Sequence, residues 1–182
     1  MRTSALMGLL LGIIIGPSTG TLTAQSAPEG PATVALPRMP RVRANGDSSL
    51  AALLLKASER SSTFRRLVAT IDESDGIVYV EQGTCFHGVR ACLMLTVQVA
   101  GPNRILRIAV DTRRDQGELL AAIGHELQHA VEALSDPHVT DYRTMYSFFE
   151  HIGPTTRRER FETLSAIHAG MDVLKELRAI IY

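Results

Sequence analysis

Tryptophan is absent from the 182-residue chain, and aromatic residues make up only 5% of it. A stacking platform for nucleobases or sugar rings therefore has little to be built from. No charge excess of either sign is present: Lys plus Arg and Asp plus Glu both number 19. Arg2 is the only charge in residues 1–26, and without that segment the balance is 18 against 19, about −1. Bulk electrostatics thus supplies no attraction to nucleic acid or anionic lipid. No apolar run reaches the roughly 20 residues of a membrane span. The longest, residues 5–15, has eleven. Cysteine is scarce, with only Cys85 and Cys92.

What is present begins with that apolar run. Arg2 precedes it, and Gly16, Pro17 and small residues follow. This pattern predicts a secretory signal peptide over 1–26, with cleavage after Ala24 or, closer to the small-x-small rule, after Ser26. An uncleaved N-terminal anchor is the competing reading. No cysteine lies nearby, which excludes lipid attachment there. The expected location is secreted or periplasmic. Export favours a Cys85–Cys92 disulfide, which would stabilise by roughly 2.5 kcal/mol in the chain-entropy model. Two free thiols are the alternative. A zinc site from Cys85, His87 and Cys92 would lack a fourth ligand.

Residues 27–46 carry Pro28, Pro31, Pro37 and Pro40 and no helical or strand period, so a flexible linker or extended arm is expected. The domain is expected over 47–182. Asp47 or Ser48 can cap a helix over 49–59, and Ser61 or Ser62 another over 63–71. Residues 77–83, 92–99 and 104–110 read as strands, with a turn at Gly101-Pro102-Asn103. Together they predict a small antiparallel meander whose first hairpin is clipped by the disulfide. Asp115 and Glu118 have capping-box spacing. A helix follows over 116–134, with Leu119, Ile123, Leu127, Ala130 and Leu134 as its apolar stripe. Asp136-Pro137 ends it. Further helices are expected over 140–151 and, capped by Thr155 or Thr156, over 157–180. The fold class is α+β.

The 116–134 helix contains His125-Glu126-Leu127-Gln128-His129. At about 100° per residue the two histidines lie roughly 40° apart, away from the Leu119/Ile123/Leu127 stripe. Imidazoles so placed suit a zinc ion, and the neighbouring glutamate suits a general base acting on zinc-activated water. Two histidines on a solvated helix face are the competing reading. Catalytic zinc usually takes a third protein ligand. Glu132 shares the face but lies about 10 Å along the axis from His125, too far for one ion, and reads as a supporting or surface residue. Glu162, on the small-residue face of the expected last helix, is the preferred third ligand. His151, His138 and Asp141 are the alternatives, and an ordinary ion pair with Arg158 is the competing reading of Glu162. His168 lies about 240° around that helix from Glu162 and reads as packed or surface.

In these residues the chain resembles the zincin metallopeptidases over about 111–182. His125-Glu126-x-x-His129 with a later glutamate, Glu162, looks like the gluzincin branch. Glu132 and Ser135 stand where the metzincin branch would need glycine and histidine. The resemblance implies one zinc per chain held by His125, His129 and Glu162, with Glu126 as base. It also implies an edge strand before the motif helix, at 104–110, against which a peptide substrate lies. The chain departs from the branch in lacking an aspartate four residues after Glu162, where Ala166 stands. Tyr142, Tyr146 and His151 are candidates for stabilising the transition state, and helix packing is the plainer reading of the tyrosines. The expected partner is a peptide or protein substrate, with no nucleic acid and no stable membrane insertion after signal cleavage. No pattern specifies an oligomeric state. A zincin-fold module that binds metal without hydrolysis, and a zinc amidase acting on cell-wall peptides, are the alternative functions.

Overall fold

Short strands and capped helices alternate along the chain. The computed structural model describes residues 39–85, 88–113, 115–153 and 161–179. The expected signal peptide, most of the expected linker, His87, Arg158 and the caps Thr155 and Thr156 lie outside them. The described elements belong to one compact unit, Arg38–Tyr182. Among the described residues no helix is long and apolar enough to cross a membrane.

The end of the expected linker is part of the fold. Val42–Arg43 forms β1, which pairs in parallel with β2, Gly76–Gln82. Two helices connect them. Asp47 accepts hydrogen bonds from the backbone N–H groups of Ser49 and Leu50 and caps α1, Ser48–Arg60. Ser61 ends α1 and caps α2, Ser62–Glu73, its Oγ accepting from Phe64 N–H at 3.0 Å. Phe64, Leu67 and Ile71 recur at helical spacing and are buried.

The α+β class stands, but the antiparallel meander is corrected. β3 is Ala91–Leu93, β4 is Gln98–Ala100 and β5 is Asn103–Val110. The sheet order is β1-β2-β5-β3, with β4 also on β5. β2 and β5 run parallel, while β3 and β4 run antiparallel to β5. The last strand has slipped between the first hairpin's expected partners. Leu106, Ile108 and Val110 are fully buried on one face, as suits a central strand, and the β5 backbone is paired along both edges. The expected strand 92–99 is two strands. Leu93 pairs with Ile108 and Gln98 with Ile105, five steps against three, so two extra residues bulge out between them. Gly101, with φ of +58°, opens the tight turn from β4 to β5.

On β2, Val78 and Val80 turn into the core and Tyr79 and Glu81 turn away from it. Across that outer face Arg107 pairs with Glu81 at 3.0 Å and lies over the Tyr79 ring. On the inner face lies α3, Gln116–Ser135, capped by Asp115. Its expected apolar stripe is buried throughout.

The C-terminus of α3 is held by a buried arginine at the start of β5. Arg104 donates to the carbonyls of Leu134 at 2.7 Å, Asp136 at 2.6 Å and Val139 at 3.1 Å. It also grips Asp75 through two nitrogens, at 2.8 and 2.7 Å. The guanidinium thus meets both the negative end of a helix and a carboxylate. Asp75 is correspondingly held below the usual carboxylate range, chiefly by its hydrogen bond with Arg104.

α4 spans Tyr142–Ile152, opened by a capping box between Asp141 and Thr144. α5 spans Leu164–Ala179 and packs more extensively against α3 than any other helix does. Two glycines allow that approach. A Cβ on Gly124 of α3 would lie 2.8 Å from Val173 Cγ2. One on Gly170 of α5 would lie 3.2 Å from both Ala121 O and His125 Cβ. The second helix therefore lies directly on the turn that carries His125.

Candidate metal centre

His125 and His129 project from one face of α3 as their spacing requires, and their Nε2 atoms stand 3.2 Å apart. A Glu162 Oε1 lies 3.4 Å from His125 Nε2. One donor atom from each of the three residues falls within 4.8 Å of the others. Bonds of about 2.0–2.1 Å in a tetrahedron place donors about 3.3 Å apart. The 3.2 and 3.4 Å separations bracket that value and the third lies within 4.8 Å, so the two imidazoles and the carboxylate could hold a small divalent cation. Two nitrogens and an oxygen suit zinc and other first-row ions alike.

Glu162 does not lie on the last helix. α5 begins two residues later, and Thr163 caps it, its Oγ1 accepting from Ala166 N–H at 3.1 Å. The shared small-residue face does not place the carboxylate; the helix cap beside it does. Thr163 Oγ1 also donates to Glu132 Oε1 at 2.8 Å. The other oxygen of Glu132 lies 3.0 Å from His129 Nδ1. Glu132 is thus no ligand. It orients the His129 ring so that Nε2 faces the site, and it ties down the residue next to Glu162.

Glu126 is largely buried, its side chain 13% exposed. Its Oε2 accepts from the Leu93 backbone N–H at 2.7 Å, and its Oε1 lies 4.0 Å from His125 Nε2. Burial pushes its carboxyl above the usual range, against the pull of His129, His125 and the Leu93 N–H. Glu162 is held low, first by its hydrogen bond with His125. Burial opposes protonation of His125, but Glu162, Glu126 and Glu132 outweigh it and raise its pKa. Burial likewise opposes ionisation of Glu132, and the bonds from His129 and Thr163 overcome it. The cluster is strongly anionic around two imidazoles, an environment that a cation would relieve.

A cavity of about 640 Å³ opens over these residues. Leu93, Leu95, Phe149, Phe161, Ile167 and Leu174 give it apolar walls. The edge strand along it is β3, not 104–110, because β5 is interior. Asp111 N–H bonds to Arg90 O and Met94 N–H to Arg107 O, with Cys92 opposite Ala109. By antiparallel alternation, Ala91 and Leu93 turn their backbone polar groups away from β5, towards the free edge. Cys92 is bonded to Cys85, as expected, which fastens β3 to the segment leaving β2.

Tyr142, Tyr146 and His151 do not line the cavity. Tyr142 is 56% exposed and His151 is exposed. Tyr146 stacks on Tyr142 and meets Phe161 edge-on, and Phe149 meets both Phe161 and the His129 ring. The tyrosines extend an aromatic packing cluster. Of the other expected alternatives, His138 pairs with Asp136, Asp141 caps α4 and His168 is exposed. No motif marks Leu93, Phe149 or Thr163. The seven-residue spacing of Tyr142, Tyr146 and Phe149 was the available sign of an α4 stripe directed at the site.

No family model, curated protein or solved structure matches the chain.

Proposed function

We propose that the protein is an exported, zincin-like zinc metallopeptidase that hydrolyses peptide bonds in its β3–α3 cleft. The observation that carries this reading is the convergence of His125, His129 and Glu162 donor atoms with the Glu126 carboxylate beside them. A zinc ion so held supplies Lewis acidity and makes water a stronger acid near neutral pH.

The residues have separable tasks. His125, His129 and Glu162 would hold the ion, and Glu132 would fix the tautomer of His129 by accepting from Nδ1. Glu126, beside the ligand cluster, takes a proton from water and returns it to the leaving amine. Leu93 N–H holds one Glu126 oxygen, so the other is left for the proton. The cleft edge of β3 turns Ala91 N–H and C=O away from β5, in the direction an added extended peptide would take, and the apolar walls favour apolar side chains. The Cys85–Cys92 disulfide supports export, since such bonds persist in oxidising compartments.

Metal analysis of the mature chain, followed by hydrolysis of a peptide library with and without a zinc chelator, tests this reading. About one zinc per chain and chelator-sensitive cleavage are expected. A folded chain that takes up no metal removes it.

A further inference from the structure

Arg90 is the only arginine or lysine among the described residues lining the cavity. It stands immediately before β3. Its Nη2 pairs with Glu118, in the first turn of α3. Its Nη1 is buried and has no hydrogen-bond partner; among the described residues the only other such side-chain atom is Arg41 Nε. Burying a donor without a partner is costly, and a guanidinium carries five N–H groups, enough to serve two carboxylates.

Its place relative to the metal centre follows from two elements. Leu93, three residues after Arg90, is bonded to Glu126. Three strand residues span about 10 Å. On α3, Glu118 precedes Glu126 by eight residues, about 12 Å along the axis. The two lengths agree, so the guanidinium lies about three extended residues from the base. Between them run Ala91, its backbone polar groups turned away from β5, and apolar walls.

We infer that Arg90 determines specificity by receiving the C-terminal carboxylate of a short peptide laid along β3, with apolar side chains in the cavity. The substrates are then peptides that end about three residues beyond the bond cut. This rests on the peptidase reading and adds the substrate class to it.

The test measures binding, separately from turnover. The full-length chain carrying Glu126→Gln, with zinc supplied, is titrated calorimetrically with three acetylated tripeptides. These are Ala-Leu-Leu as the free acid, its C-terminal amide, and Ala-Leu-Asp amide. The free acid should bind at least about tenfold tighter than the other two, as a charge-assisted bond to a half-buried arginine predicts. Adding Arg90→Met should erase that preference without weakening the amide, and Arg90→Lys should keep part of it. Equal affinities, or no binding of any peptide, overturn the inference. Tight binding of the aspartyl amide also overturns it, since the carboxylate read would then belong to a side chain. Acid preference in a chain that hydrolyses nothing leaves Arg90 its role and removes the peptidase reading. Hydrolysis indifferent to the C-terminus does the reverse.

Discussion

The backbone N–H of Leu93 donates to Glu126 Oε2 at 2.7 Å, joining the edge strand to the residue after the first motif histidine. One carboxylate oxygen is thereby committed to the protein. The other stands 4.0 Å from His125 Nε2, on the side of the ligand cluster.

Glu126→Gln preserves the shape and can still accept from Leu93 through its amide oxygen, but it cannot carry a proton. Turnover should fall by about 10²–10⁴-fold while zinc content and melting temperature hold. Undiminished turnover would remove Glu126 from the role of base.

Glu162 and Glu132 are separated by one experiment. Glu162→Ala deletes a donor atom, while Glu132→Ala frees the His129 ring and Thr163. Competition with a zinc chelator should show the larger affinity loss for Glu162→Ala and a loss of about 10–100-fold for Glu132→Ala. Circular dichroism should show both variants folded. Equal, small losses in the two variants would exclude Glu162 as a ligand.

Gly124→Ala tests the close approach of α3 and α5. The new Cβ would sit 2.8 Å from Val173 Cγ2, on a fully buried valine with stiff rotamers. Overpacking costs about 1–3 kcal/mol, and the better helix propensity of alanine returns about 1 kcal/mol. Denaturant titration should show a net loss of up to about 2 kcal/mol. A gain in stability would mean that the helices separate freely.

Glu176, on α5, accepts from Ser61 Oγ at 2.5 Å, Ser62 Oγ at 2.8 Å, and Thr63 N–H and Oγ1 at 3.0 and 2.9 Å. Burial opposes its ionisation, but these donors hold its pKa down from 4.5 to about 2. A depressed carboxylate stabilises fully above its unfolded pKa and loses that contribution as pH falls towards its folded one. Glu176→Gln should therefore cost about 1–2 kcal/mol at pH 7, after solvent screening. The cost should shrink below about pH 4.5 and vanish near pH 2. A constant difference across that range in urea titrations would show that the charge plays no part.

The helical half of this fold was legible because its signals are local. Asp47, Ser61 and Asp115 each cap the helix their sequence position announces. The His125/His129 face follows from 3.6 residues per turn alone. Strand order depends on contacts far apart in sequence, and adjacent strands pair often enough to mislead. A sign of the true order lay in β5, where alternation stops at Ala109-Val110, as in a strand covered on both faces. Glu162 was found by its chemistry, but its support was misplaced. No periodicity distinguishes a residue before a helix cap from one inside the helix, and the Thr163–Glu132 bond spans 31 residues.

Arg104 binds the end of α3 to the start of β5 and to Asp75. Neither element can open alone without stranding a buried guanidinium and several helix carbonyls. Helix and strand are therefore joined as one unit, whose amide protons should exchange together and last in a hydrogen-exchange measurement. The two histidines ride on that unit, whereas Glu162 stands outside any helix or strand. Under the proposed metal-binding reading, ion release would begin with departure of the carboxylate and leave the imidazole pair in register for reloading.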